Sequence, residues 1–247
     1  MEVHHHPHTP RKKWTHYFWE FFMLFLAVTL GFFVENQREH MVEHRREKQY
    51  MRSMVEDLKS DTAKLNWITL RRTLRIKTLD SISLLLNEPV NTAYLSDLYY
   101  CSRLCRRIAN IGFISNDRTI QQLKNAGGLR LIRNQIVSDS IVLYYNSVQR
   151  LKMVEEREWE YIRDMIPYSY KIFDGRIYDK MMDEEDRVHR PPGNPALLQY
   201  TKEDLNAFIS SLHSIKTSNV AYIRFSIAVY DNAVNLLETI EKEYHLK

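Results

Sequence analysis

Residues 205–240 read LNAFISSLHSIKTSNVAYIRFSIAVYDNAVNLLETI, which is the clearest periodic stretch of the chain. Its apolar and small polar residues recur in alternating steps of three and four, over about five heptads. They are Leu205, Phe208, Leu212, Ile215, Asn219, Tyr222, Ser226, Val229, Ala233, Leu236 and Ile240. Such a seam packs along another long helix at a shallow angle, with Asn219 and Ser226 fixing register or hydrogen-bonding within the core. Thr201 and Asp204 form a capping-box pattern just before the seam, which predicts where the helix begins.

The composition of the whole chain also favours long helices. The 247 residues include only 6 Gly and 7 Pro, with 44% hydrophobic and 27% charged residues, and few turn formers are expected in a helical protein. Neither Gly nor Pro occurs from residue 35 to 88, so one long helix is predicted there, ended by Pro89. Its apolar stripe comprises Met51, Val55, Leu58, Leu65, Ile76, Leu79 and Leu86.

Three more helices are predicted between these two. One covers about residues 92–111, and a short one begins with a cap at Ser115 or Asn116 and stops at Gly127-Gly128. Another covers about residues 135–166 and is closed by Pro167, with an irregular segment over residues 168–195. The predicted fold class is all-α: an N-terminal transmembrane helix continues into a stalk and is followed by an antiparallel helical bundle.

Residues 17–34 form an apolar stretch that predicts a membrane span. As a helix its 18 residues measure about 27 Å, close to the ~30 Å of a hydrocarbon core. Trp14, Tyr17 and Trp19 supply interfacial aromatic rings at its start. A cleaved signal peptide is the alternative, but the bulky residues 30–35 contain no small-x-small cleavage site. The predicted organisation is a His-rich basic tail (1–16), the span (17–34), a polar stalk (35–60) and the bundle domain (61–247).

Glu20 is the only charged residue within the span. An ionisable residue there is a functional candidate, because burial in lipid is costly unless a partner compensates. One reading is an edge residue that reaches the headgroups; the other is an intramembrane contact with a partner span. Counts of flanking basic residues disagree about orientation, but a short basic tail usually stays inside, so the C-terminal domain is predicted on the outer side of the membrane.

The N-terminal tail carries the clearest metal-ligand candidates. His4, His5, His6 and His8 offer four imidazoles, which are good ligands for divalent transition metals. A solvated tail that binds metal only weakly is the competing interpretation, and no cofactor is predicted. His40 and His44 match an H-x-x-E-H pattern, but their charged surroundings indicate a solvated helix face.

Other classes of function have little support in the sequence. The net charge of +4 is interspersed along the chain, which disfavours a nucleic-acid partner. Cys101 and Cys105 lie four residues apart on a predicted helix and are interpreted as buried thiols. The chain has no nucleophile elbow or phosphate loop, and its remaining histidines are scattered, so an enzyme is not predicted.

Two parts of the chain resemble a known group of proteins. The opening Met1-Glu2-Val3-His4-His5-His6-Pro7-His8, the span and residues 35–40 resemble a family of uncharacterised bacterial single-pass membrane proteins. The segment 123–132 and Tyr144-Tyr145 resemble that family's domain of unknown function. The likeness covers the first 60 residues and part of the middle of the chain. It implies a bacterial cytoplasmic-membrane protein with a helical domain, so that the predicted orientation places this domain on the periplasmic side. It implies no activity.

Three functional hypotheses follow. The first is a non-enzymatic interaction protein, a scaffold or accessory subunit in the bacterial envelope, whose partners are the lipid bilayer and either another protein or further copies of the chain. The second is an extracytoplasmic ligand-sensing module, with Tyr99, Tyr100, Tyr144 and Tyr145 as pocket residues. The third is a metal-binding protein that uses the N-terminal histidines or His40 and His44.

Overall fold

A computed structural model describes residues 13–87, 90–108, 111–125 and 127–246. Over these ranges the secondary structure is helical apart from turns and one isolated bridge between Met182 and Val188. The helices are α1 (Trp14–Leu85), α2 (Leu95–Ile108), α3 (Arg118–Asn125), α4 (Gln135–Ile172), α5 (Gly175–Asp179) and α6 (Lys202–Glu243). Short 3-10 turns occupy Thr92–Tyr94 and Gly128–Leu131. The predicted all-α fold is confirmed.

The chain divides into two compact units, Met1–Gln49 and Tyr50–Lys247, and α1 contributes residues to both. In the first unit, residues 13–34 are exposed except for half-buried Leu26. Within the described ranges, α1 is the one helix whose length and apolar composition suit a membrane crossing. The core of the second unit begins early: Met51, Met54 and Leu58, in the segment predicted as stalk, are almost fully buried.

The second unit is built on α1, α4 and α6. Asp61 of α1 contacts Tyr144 of α4, and farther along both helices Arg72 contacts Glu158. Residue numbers therefore increase in the same direction along both helices, so α1 and α4 are parallel. Parallel neighbours need a connection that leads the chain back along α1, and this connection contains α2 and α3. Asp57 of α1 contacts the start of α3.

Helix α6 runs opposite to both long neighbours. Its Asn219 contacts Arg72, whereas its C-terminal Glu241 contacts Lys59, which comes earlier in α1. Every residue of the predicted α6 seam is buried, and the capping box at Thr201 and Asp204 forms as predicted. The seam divides between two apolar clusters, one around Tyr222 to Ile240 and the other around Leu205 to Ile215.

The end of α4 differs from the prediction. The helix continues through Pro167 to Ile172, so the expectation that Pro167 closes it was wrong. Proline removes one backbone hydrogen bond, but burial of a final apolar turn compensates for that loss. Ile172 is fully buried and Phe173 nearly so, and both belong to the same cluster as Phe208. The segment predicted as irregular also contains α5, capped by Asp174.

The start of α3 also lies later than predicted. The helix begins at Arg118, so neither Ser115 nor Asn116 is its cap. The carboxylate of Asp57 instead accepts hydrogen bonds from the Thr119 backbone N–H (3.3 Å) and hydroxyl (2.5 Å), which supplies the cap from α1. The predicted stop is confirmed: Gly127 has φ +64°, a left-handed conformation that glycine adopts without strain.

A matched pair of substitutions on α6 tests this packing. Ile240 is fully buried and Ile227 is half exposed. We expect Ile240→Ala to lower the free energy of unfolding by about 2–5 kcal/mol, because it opens a cavity in the core. The same change at Ile227 should alter it by less than about 0.5 kcal/mol. Denaturant unfolding followed by circular dichroism measures both, and equal losses would contradict the helix face assigned to the core.

Candidate functional site

Three ionisable side chains are buried together midway along the bundle. Arg72 and Arg75 of α1 are each 1% exposed, and Glu158 of α4 is 2% exposed. The Nη1 atom of Arg72 contacts one carboxylate oxygen of Glu158, and the Nη1 atom of Arg75 contacts the other. A buried carboxylate that bridges two guanidinium groups leaves one positive charge in excess within this triad.

Arg72 is well satisfied by its surroundings. Its Nη2 and Nε donate to the Ile111 carbonyl at 2.8 and 3.2 Å, and its Nη1 donates to Asn219 Oδ1 at 2.9 Å. The Asn219 amide in turn donates to the Arg72 carbonyl at 2.9 Å, so the predicted hydrogen bonding of Asn219 within the core is confirmed. The guanidinium also lies 3.7 Å from the centre of the Tyr222 ring, in cation–π geometry.

Arg75 is satisfied much less completely. Besides its contact with Glu158, its Nε has no hydrogen-bond partner among the described residues, although it is shielded from solvent. A buried donor without a partner normally costs about 1–3 kcal/mol. Arg75 also lines a cavity between the helices.

The cavity has a volume of about 180 Å³ and lies among α1, α2, α4 and α6. Its wall is mainly apolar, with two arginines and a thiol, and no described carboxylate takes part. The lining residues are Arg75, Cys105, Arg106, Trp159, Ile162, Met165, Ile166 and Ile215. Trp159 is 38% exposed and Ile166 is half-buried, so the cavity connects with the surface on the α4 side. This arrangement suits a small ligand that is partly apolar and partly anionic.

Both cysteines are free thiols, and Cys105 is buried as predicted, whereas Cys101 is only half-buried. Burial raises the pKa of Cys105, and the neighbouring Arg75 offsets this only in part. The thiol is therefore neutral and contributes a weakly polar surface to the cavity wall.

The four tyrosines predicted as pocket residues lie elsewhere, and none of them lines the cavity. Tyr144 is buried and donates to Asp61 at 2.7 Å, while Tyr145 is half-buried beside it. Tyr99 is buried and bonds the Ala196 carbonyl and the Asp174 backbone N–H, both at 3.1 Å. Tyr100 lies under the guanidinium of Arg190. These contacts indicate that the four tyrosines stabilise the fold.

Asp61 is the acceptor in a second buried polar cluster. Its carboxylate accepts from the Asn116 backbone N–H at 2.9 and 3.0 Å and from Lys64 at 3.3 Å, in addition to Tyr144. Burial raises the pKa of Asp61, although these hydrogen bonds favour its charged form. All of its partners come from within the bundle, so the cluster fastens the segment before α3 to α1.

The other predicted site residues lie in the first unit. Glu20 pairs with His16 one turn earlier, at 3.1 Å between Nε2 and Oε1. His4, His5, His6 and His8 lie outside the described residues. Exposed His40 and His44 face Glu43 and Glu47 respectively. Among the residues that the structure describes, no group of three or more potential metal ligands comes together.

Comparisons with protein-family models, with curated proteins and with solved structures give no match for this chain.

A charge-neutralising substitution tests the triad. In Glu158→Gln, two buried guanidinium groups lose their shared counter-charge while side-chain size is kept. We expect the free energy of unfolding to fall by about 3–5 kcal/mol. Glu156→Gln, on the exposed side of the same helix, is the control and should cost less than about 0.5 kcal/mol. Chemical denaturation of both variants decides, and near-equal midpoints would show that Glu158 does not neutralise the arginines.

Proposed function

We propose that this protein is a membrane-anchored helical bundle that works by protein–protein interaction, as a non-enzymatic scaffold or accessory subunit of the bacterial envelope. Two features support the proposal. The apolar residues 17–34 at the start of α1 are almost all exposed, which suits contact with lipid. The bundle also carries an apolar stripe on its surface, and that stripe is the observation on which the interaction role rests.

The stripe lies on the outer side of α1 and consists of Trp67, Leu70 and Leu74. These side chains are 50%, 70% and 42% exposed. Their spacing of three and four residues places them on one helix face, as in the seam of a coiled coil. Exposed single apolar residues are common, but three large ones in consecutive seam positions are typical of an interaction surface.

A second copy of the chain is the occupant that fits this stripe best. Copies anchored in one membrane share an orientation and are held at high local concentration. In a parallel pair, equivalent seam positions face each other, so Trp67, Leu70 and Leu74 each meet their counterpart across a two-fold axis. Lys77 and Ser81 take the next seam positions, so the apolar contact ends after Leu74.

Charge placed on the stripe tests this role. Leu70→Glu combined with Leu74→Glu should convert a dimer to a monomer, because four carboxylates would meet within the contact. Mass measurement by light scattering on the full chain in mild detergent reports the change. Leu143→Glu, at an exposed leucine of α4, is the control and should leave the dimer intact. A native chain that is monomeric would contradict self-association. If a different protein co-purifies with the native chain but not with the double variant, the stripe binds that protein instead.

We further propose that the anchor is uncleaved, that the tail lies inside and that the bundle lies on the periplasmic side of the cytoplasmic membrane. The basic residues Arg11, Lys12 and Lys13 ahead of the span support this orientation, as does the resemblance of the N-terminal segment to single-pass membrane proteins. Glu20 has an intrachain partner in His16, and contact with a partner span remains the alternative role for it.

Protease protection tests the anchor and its direction together. The full chain should remain in membranes after alkaline carbonate washing. Protease added to spheroplasts should digest the bundle, so that a C-terminal epitope tag is no longer detected. Inside-out vesicles should protect that tag. The opposite pattern would place the bundle in the cytoplasm, and release by carbonate would refute the anchor.

The sensing hypothesis retains a specific observation in its favour, the cavity beside Arg75. Metal binding by His4, His5, His6 and His8 stays a separate proposal. Replacing all four histidines and measuring the metal content of the purified protein tests it.

A further inference from the structure

The excess positive charge of the buried triad is concentrated at Arg75. Arg72 has its own set of acceptors in Ile111 and Asn219, whereas Arg75 shares Glu158 with Arg72 and otherwise interacts with the thiol of Cys105. Another carboxyl, Glu155 of α4, interacts with Arg72 and does not line the cavity. An incompletely neutralised guanidinium in a low-dielectric interior is unfavourable unless an anion joins it.

The size and wall of the cavity next to Arg75 suit a small, partly apolar molecule. Ile162, Met165 and Ile215 form buried parts of its wall. An enclosed apolar cavity of about 150 Å³ is large enough for benzene. The ~180 Å³ beside Arg75 therefore accommodates a ligand of roughly six to nine non-hydrogen atoms.

We propose that this cavity binds a small monocarboxylate with a short alkyl or aryl chain. The carboxylate pairs with the guanidinium group of Arg75 and supplies the charge that Glu158 alone does not. The apolar chain lies against Ile162, Met165 and Ile215. Arg106, also in the lining, adds a second cation that favours an anion over a neutral or cationic ligand.

This proposal is independent of self-association through the outer stripe, because the cavity is formed by residues of one chain. It assigns the bundle a ligand class, and it places the recognition of charge on a single buried residue. The neutral thiol of Cys105 lies in the wall and offers a chemical reporter of occupancy.

Calorimetric titration of the full chain in lipid nanodiscs tests the ligand class, with empty nanodiscs as the blank. Hexanoate is the probe, and hexanamide is its neutral counterpart of similar shape. We expect hexanoate to bind about 10- to 100-fold more tightly than hexanamide, because a charge-assisted hydrogen bond is lost in the amide. Equal affinity for the two probes, or no saturable binding of hexanoate, would overturn the proposal.

Two variants locate the site. Ile166→Trp fills the mouth of the cavity from a half-buried position and should abolish hexanoate binding, whereas Ile136→Trp makes the same change at an exposed position of α4 and should not. Arg75→Gln should reduce the affinity for hexanoate about 10- to 100-fold and leave that for hexanamide nearly unchanged. Unchanged hexanoate affinity in Ile166→Trp would overturn the assignment.

A measurement that leaves Arg75 in place guards against a variant that fails to fold. In the Cys101→Ser background, methyl methanethiosulfonate should modify Cys105 slowly. Hexanoate at a concentration well above its Kd should lower this modification rate at least about tenfold, because the cavity is then occupied most of the time. Hexanamide at the same concentration should protect much less. Equal rates with and without hexanoate would show that the ligand does not occupy this cavity.

Discussion

The bridge from Glu158 to Arg72 and Arg75 constrains the rest of the bundle. Burial of three ionisable groups contributes little net stability compared with apolar packing, because desolvation opposes the attraction between the charges. Its effect is on register: sliding α4 by one turn would leave two guanidinium groups and a carboxylate buried without partners. Asn219 extends the same requirement to α6, since its side chain bonds both the Arg72 guanidinium and the Arg72 carbonyl. One position along each of the three long helices is thereby fixed.

The connection between α1 and α4 follows from similar contacts on α1. The Ile111 carbonyl accepts from Arg72, Asp61 accepts from the Asn116 backbone, and Asp57 caps α3. Three buried polar side chains, spaced along α1, thus hold one irregular segment as it runs back beside that helix. This return allows α4 to start near the beginning of the buried part of α1 and to run in the same direction. Polar contacts thus act together with the apolar packing of Ile111, Phe113 and Ile120 to hold this segment.

How much of the fold could be predicted depended on which residues occupied the seam positions. In α6 those positions are apolar or small, so the sequence predicted the helix, its cap and its buried face. In α1 the same spacing runs through Ile68, Arg72, Arg75 and Leu79. An apolar pattern alone predicts Ile76 as the core residue there, but Ile76 is half-buried and Arg75 is fully buried. Glu158 was missed on α4 for the same reason. Charged residues at consecutive seam positions of two helices were the available signal. The cavity could not be predicted, because it depends on side-chain packing among four helices.

The two faces of α1 in the bundle reverse the usual distribution of residues. Its inner face buries Arg72 and Arg75, and its outer face exposes Trp67, Leu70 and Leu74. Stability alone would favour the opposite arrangement, since apolar burial stabilises and buried charge costs free energy. Local choices that conflict with the fold are expected where a protein contacts something else. The proposed self-association would cover the outer residues, and the proposed carboxylate would balance the charge of the inner arginines. Both departures lie on one helix, between residues 67 and 75.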